Sequence, residues 1–197
     1  MIISKDHLKT FSVFWILVGA YFLIPFIVES IPPPVWFYSL DSSIPFVWWM
    51  IIPYYFHYIF VVIPPFVIKN KLKLYYLTSI LIKTTMICYL FYIIWPISAE
   101  LVLNTVPEKS PLGFFHSSIT FDFLFQNAFP SMHVVVSMIV AAVLADEYPN
   151  IKWPLYVLGV SIFLATFLIK QHYFLDSVAG LIIAVLGYIF YRKSLVV

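Results

Sequence analysis

Six long apolar runs, at roughly residues 11–28, 44–68, 75–96, 130–145, 153–169 and 176–191, leave this chain few ways to fold. Each is near the ~20 residues a helix needs to cross the hydrocarbon core of a bilayer. Of the 197 residues, 63% are hydrophobic and only 10% are charged. A soluble domain carries about 25% charged residues, so polar surface is too scarce here to face water all round. The expected fold is an all-α integral membrane protein, a six-helix transmembrane bundle forming a single membrane domain over residues 1–197. No internal repeat is visible. Abundant Phe, Tyr and Trp suit lipid-facing surfaces and interfacial aromatic belts.

The punctuation between the runs supports this division. The first run ends in Glu29-Ser30-Ile31-Pro32-Pro33-Pro34 and has no small-residue cleavage site, so it reads as a retained span rather than a signal peptide. Pro53 is expected to kink the second span, since a proline inside a helix removes a hydrogen bond. The stretch 97–129 is too long for a bare connector and is expected to be a functional outer loop. Within it, Phe114-Phe115-His116 and Phe121-Asp122-Phe123-Leu124-Phe125 mix aromatic and polar residues that can lie along a membrane surface.

Basic residues set the expected orientation. Lys5, Lys9, Lys69, Lys71, Lys73, Lys152, Arg192 and Lys193 fall on one side of a six-span arrangement, eight of the eleven Lys and Arg. That side, with both termini, is expected to be cytoplasmic. The net charge of +2 and the lack of a long basic run exclude a nucleic-acid partner. Lone Cys88 excludes a disulfide framework, and no cluster has metal-ligand spacing. Neither a metal nor an organic cofactor is expected.

Two polar sequences then face the outside, whether periplasmic, extracellular or lumenal. Pro130-Ser131-Met132-His133 opens the fourth run. Pro130 suits a first helical turn, and the amides after it make a helix N-terminus that favours an anion, phosphate especially. Pro130, Ser131 and Met132 are therefore candidate substrate-binding residues. His172 and Asp176 open the sixth run four residues apart, on one face if helical. A carboxylate on one imidazole nitrogen leaves the other free to attack or take a proton. A second imidazole, His133, can protonate a leaving oxygen. The alternative for each histidine alone is an interfacial or interhelical bonding residue.

Pro130-Ser131-Met132-His133 and His172-Tyr173-Phe174-Leu175-Asp176 resemble the second and third signature motifs of the type 2 phosphatidic acid phosphatase superfamily, usually written P-S-G-H and S-R-x5-H-x3-D. The fuller Asn127-Ala128-Phe129-Pro130-Ser131-Met132-His133 and the His-Tyr-x-x-Asp form are more similar to the inositol phosphorylceramide synthase branch; sphingomyelin synthases are more distant relatives. The resemblance implies a lipid phosphatase or phosphotransferase, with a phospholipid or lipid phosphate as substrate and a lipid as acceptor if it transfers. It implies His172 as the nucleophile forming a phosphohistidine, Asp176 as its orienter, His133 as the acid and Ser131 as a phosphate contact. The chain departs from the family pattern at its cations. Cys88 and Trp95 stand where the first motif, K-x6-R-P, has lysine and arginine, and Ala165-Thr166 replaces Ser-Arg. A phosphodiester, with one charge less than a monoester, suits such a site better.

Lys170, two residues before His172 on the outer face, is a candidate anion contact or an interfacial anchor, and Lys109 is another possible contact. Lys83, in mid-span, is expected to find a partner within the bundle, His57 being the candidate. Glu100, Glu108, His116 and Asp122 are candidates for shaping substrate choice. The competing functional classes are a catalytically degenerate lipid-binding or scaffold protein of the same fold, and a small transporter built around Lys83 and His57.

Overall fold

The computed structural model describes residues 5–107, 109–120 and 128–196. Asn127, Glu108 and the segment Phe121–Phe125 singled out above lie outside them. Ten α-helices are described: α1 (Lys5–Ala20), α2 (Val35–Ser39), α3 (Ile51–Val62), α4 (Pro64–Val67), α5 (Lys71–Ile94), α6 (Glu100–Leu103), α7 (Gly113–Ser117), α8 (Met132–Glu147), α9 (Lys152–Leu168) and α10 (Phe174–Ser194). A 3-10 turn, Tyr21–Phe26, prolongs α1. Among the described residues the one β-type pairing is an isolated bridge between Ile31 and Ile97.

The all-helical class holds, and length and hydropathy alone support fewer than the six expected spans. Four helical segments are long and apolar enough to cross a membrane: Lys5–Phe26, Lys71–Ile94, Pro149–Leu168 and Phe174–Ser194. A fifth arises if the bent pair Val35–Ser43 and Trp48–Val62 is one span, with a 110° bend between its halves. The break expected at Pro53 does not occur, because Pro53 sits in the first turn of α3, where the missing N–H costs nothing. Pro64 and Pro65 start a new short helix just after α3 ends. The expected fourth span, α8, has 16 residues, about 24 Å of helix.

α8 is the centre of the bundle. It packs on α9, α10, α5 and α3, and Val134, Val135, Val136, Ile139, Val140 and Val143 are all buried. A helix apolar all round is buried all round. Small residues allow close approach to its neighbours: Gly159 of α9 lies where a Cβ would meet Ala141 Cβ at 3.0 Å, and Gly187 of α10 likewise against Ile139.

The start of α1 and the end of α10 lie at one end of the bundle. Asp6 pairs with Lys71 at 2.9 Å, Lys73 with Glu147 at 2.6 Å and Arg192 with Asp146 at 3.0 Å. These tie the starts of α1 and α5 to the ends of α8 and α10. The starts of α8 and α10 therefore meet at the opposite end, and with them the two histidine motifs.

Candidate functional site

The two motifs are locked together by backbone. Ser131 N donates to the Asp176 carbonyl at 3.0 Å, and a Cβ on Gly180 would stand 2.6 Å from the Ser131 carbonyl. Glycine at 180 is what lets α10 lie against the start of α8. Tyr92 Oη donates to the Pro130 carbonyl at 2.8 Å. Phe129, after which the peptide to Pro130 is cis, fits among Phe37, Phe91 and Trp95. On the other side the chain leaves α9 through Lys170, a non-glycine residue at φ 63°, and returns with His172 N donating to the Thr166 carbonyl at 3.0 Å. The Asp176 carboxylate caps α10 by accepting from Tyr173 N at 2.8 Å.

These constraints bring His133 Nδ1 to 3.0 Å from His172 Nε2. His172 Nδ1 lies 3.0 Å from the Ala128 carbonyl and 3.4 Å from Asp176 Oδ2. His133 Nε2 lies 2.9 Å from Tyr54 Oη. The carbonyl can only accept, so it assigns every proton in the chain of neutral rings. His172 carries its proton on Nδ1 and presents a lone pair at Nε2. His133 Nδ1–H donates to that lone pair, and Tyr54 O–H donates to His133 Nε2. The pair thus presents an unprotonated nitrogen and, 3.0 Å away, an N–H. Asp176 is farther from His172 than the Ala128 carbonyl is, so the loop geometry orients this ring as much as the carboxylate does.

A cavity of about 320 Å³ opens beside the two rings. Met132 and His133 line it, as do Tyr54, His57, Thr120, Gln171 and His172. Its apolar end runs past Val18 and Val61 to Phe22 and Tyr58, the last two well exposed.

Other expected site residues are placed elsewhere. Ser131 is fully buried, does not line the cavity, and its Oγ has no hydrogen-bond partner among the described residues. Pro130 is held under Tyr92. Lys170 does not line the cavity either: its ammonium donates to the Ile44 carbonyl at 2.6 Å and the Asp41 carbonyl at 3.2 Å. Burial holds this ammonium below the ordinary lysine value, with Asp41 pulling the other way. Lys170 is thus a clamp between the loop and the α2–α3 connection. Lys109 is exposed and is not part of the cavity wall. No Lys or Arg among the described residues lines the cavity.

Tyr54 has no counterpart in the sequence reading, and His57 appears there only as a partner for Lys83 or an interhelical bonding residue. His57 does not pair with Lys83; its Nδ1 bonds Ser137 Oγ at 3.0 Å, and its ring lies 4.5 Å from that of His133. The two are three residues apart, on one face of a helix, but which helix that face would meet is not written in α3. Cys88 is buried in the core and Trp95 packs against Phe37 and Phe129. The Thr166 hydroxyl meets Ser177 Oγ at 2.7 Å. Hydrophobic or neutral contacts thus fill the positions where the motifs would put cations.

The short helix α7 docks beside the site. His116 Nε2 bonds the Ile169 carbonyl at 2.8 Å, Gln171 donates to Thr120 Oγ1 at 2.8 Å, and Tyr55 Oη donates to the Phe115 carbonyl at 2.8 Å. Burial holds the His116 imidazole below its ordinary value of 6.5, partly offset by the Ile169 bond. The docked state therefore resists protonation more than the undocked one. Docking is at full strength above 6.5 and weakens as pH falls below it, because the undocked ring gains its proton first. Protease cleavage within 107–120 is expected to quicken as pH falls from about 7 to about 5, and to be flat with pH in His116→Asn. A flat wild-type profile would remove His116 as the docking group.

The model of the PAP2 superfamily matches residues 33–190. The chain belongs to the PAP2 superfamily. The match spans both histidine motifs and every cavity-lining residue except Val18, Tyr21 and Phe22. PAP2 membership points to a phosphatase-type enzyme with a phosphorylated lipid or small molecule as substrate, in a membrane setting. Neither the comparison with curated proteins nor that with solved structures finds a match.

Proposed function

We propose that this PAP2 protein is an integral membrane enzyme that moves or removes a phosphate-containing group on a lipid through a phosphohistidine at His172. The observation that carries this reading is the 3.0 Å approach of His133 Nδ1 to His172 Nε2 at the wall of the cavity, with the other nitrogen of each ring already bonded. The substrate phosphoryl group enters between the two rings and takes the place of their hydrogen bond. His172 Nε2 attacks phosphorus, and the P–O bond to the leaving alcohol breaks. His133, protonated on both nitrogens when the anionic substrate enters, passes its Nδ1–H proton to that oxygen and is left as a neutral ring with its remaining proton on Nε2, toward Tyr54. The Nδ1–H of His172, held by Ala128 and Asp176, supports the positive charge that the ring acquires. Water or an acceptor alcohol then gives a proton back to His133 and attacks phosphorus, and the N–P bond breaks.

Two features favour a lipid diester over a phosphomonoester. The cavity wall holds imidazoles, phenols, an amide and a hydroxyl but no Lys or Arg among the described residues. Such groups suit one negative charge better than two. The apolar end at Phe22 and Tyr58 suits an acyl chain. Headgroup transfer of the inositol phosphorylceramide synthase kind is the version we favour. In the same reading the chain works as one membrane domain with six crossings, α8 and the bent α2–α3 segment included. Its termini are cytoplasmic and the histidines face the opposite side.

The test is to incubate the purified protein with a panel of phosphomonoester and phosphodiester lipids, measuring free phosphate and exchanged headgroups side by side. Exchange that needs His172 is expected. Turnover unchanged in His172→Ala, or none with the wild type across a broad panel, would sink the proposal and leave a lipid-binding member of the fold. Free phosphate from monoesters that needs His172 would keep the phosphohistidine and move the enzyme to the phosphatases.

A further inference from the structure

A second cavity lies outside the histidine site. It is an open groove of about 470 Å³ between α1 and α5, toward the end that carries the termini, with Lys9, Thr10 and Val13 on one wall and Ser79, Ile82 and Lys83 on the other. The two helices run the same way: Asp6 meets Lys71 at their starts, and Tyr89 Oη donates to the Leu17 carbonyl further along. Lys83 follows Lys71 by twelve residues, so it stands about 18 Å along α5. It is exposed, on a surface that faces lipid if the bundle spans a membrane. An ammonium at that depth is costly unless something neutralises it.

Nothing in the chain does so among the described residues. The nearby carboxylates have closer partners, Asp6 with Lys71 although its charge also reaches Lys9, and Glu147 with Lys73, and neither Lys9 nor Lys83 lies within ion-pair distance of a carboxylate among the described residues. Helix geometry tilts the Lys83 side chain back toward the start of α5, and a lysine stem extends along apolar surface toward the interface. That direction leads to Lys9. The walls between the two ammoniums are mixed, with exposed Val13 and Tyr75 beside Thr10 and Ser79.

We propose that this groove binds one anionic phospholipid from the leaflet at the terminus end, its phosphate between Lys83 and Lys9 and an acyl chain along Val13 and Ile82. Two fixed positive charges select an anionic headgroup, and the apolar walls require a chain, which free phosphate lacks. The inference needs the protein to sit in a membrane but not the catalytic reading, since no residue of this groove lines the histidine cavity.

The experiment uses His172→Ala protein in detergent, so that turnover cannot consume the probe. Melting temperature and lipids retained in native mass spectrometry are measured with phosphatidylglycerol, phosphatidylcholine and glycerol 3-phosphate. Phosphatidylglycerol alone is expected to raise the melting temperature by about 5 °C at saturation and to be retained as one extra copy. Adding Lys9→Gln and Lys83→Gln should abolish both effects, and Lys83→Arg should keep them. With His172 present, the two glutamine substitutions should leave turnover unchanged. An equal shift with phosphatidylcholine, a shift with glycerol 3-phosphate, or a shift that survives the double substitution would each overturn the proposal. If the double variant does not fold, Lys83→Gln alone decides by the same readouts.

Discussion

Replacing His172 by alanine is expected to cut turnover of every phosphate ester by at least about 10³-fold, the scale on which losing a central group of such a site falls. Replacing His133 is expected to be selective. With an alkyl leaving group His133→Ala should cost about 10²–10⁴-fold, the typical contribution of a general acid. With a nitrophenyl leaving group, which departs without a proton, the loss should shrink to about tenfold or less. The contrast follows from the proton assignment: the Ala128 carbonyl at 3.0 Å leaves His172 Nε2 without a proton and His133 Nδ1 with one. The measurement is kcat/KM for both ester classes in both variants. Equal losses on the two esters in His133→Ala would remove its acid role. A His172→Ala enzyme that still turns over the activated ester at the wild-type rate would remove the nucleophile.

Gly180→Ala should be the most damaging single-methyl addition to the bundle. The new Cβ would sit 2.6 Å from the Ser131 carbonyl oxygen and 3.1 Å from Val134 Cβ. The first is backbone in a packed helix start and cannot step aside. α10 must therefore move off α8, stretching the 3.0 Å bond from Ser131 N to the Asp176 carbonyl and with it the spacing of the two histidines. Overpacking of this kind costs about 1–3 kcal/mol, and activity should fall further than stability because the two imidazoles proposed to react sit at the point that moves. Gly19→Ala is the matched control. Nothing lies within 4 Å of a Cβ there, so alanine in that helical position should stabilise by up to about 1 kcal/mol. Thermal unfolding in detergent with parallel activity assays checks both. A Gly180→Ala protein as stable and active as the wild type would show that the close approach of α8 and α10 does not set the site.

Most of the helices were legible because bilayer thickness and proline chemistry act locally. The runs that became α5, α9 and α10 could be bounded from hydropathy, from Pro96 and from the charges at their ends. The second run misled for an equally local reason. Pro53 reads as a helix breaker in isolation, yet it falls in a first turn, and the bend lies before Trp48 instead. His133, His172 and Asp176 were legible as a group because their motifs stand at the ends of runs that a bundle returns to one side. The direction of the Lys170 side chain was not legible without tertiary information. Position in the chain placed it on the right face, but its φ of 63° and the carbonyls of Asp41 and Ile44 turn its ammonium away from the rings.

By itself, then, the sequence determined an apolar helical bundle with two imidazoles and a carboxylate at one end, because chain length, hydropathy and helical spacing are properties of neighbours in sequence. Only the tertiary structure decided what each imidazole nitrogen bonds, that Tyr54 and His57 join the site from α3, and that no lysine or arginine among the described residues lines the cavity. Those outcomes depend on which helix faces meet. That is settled by packing, down to the single missing Cβ at Gly180 that lets the two motifs touch.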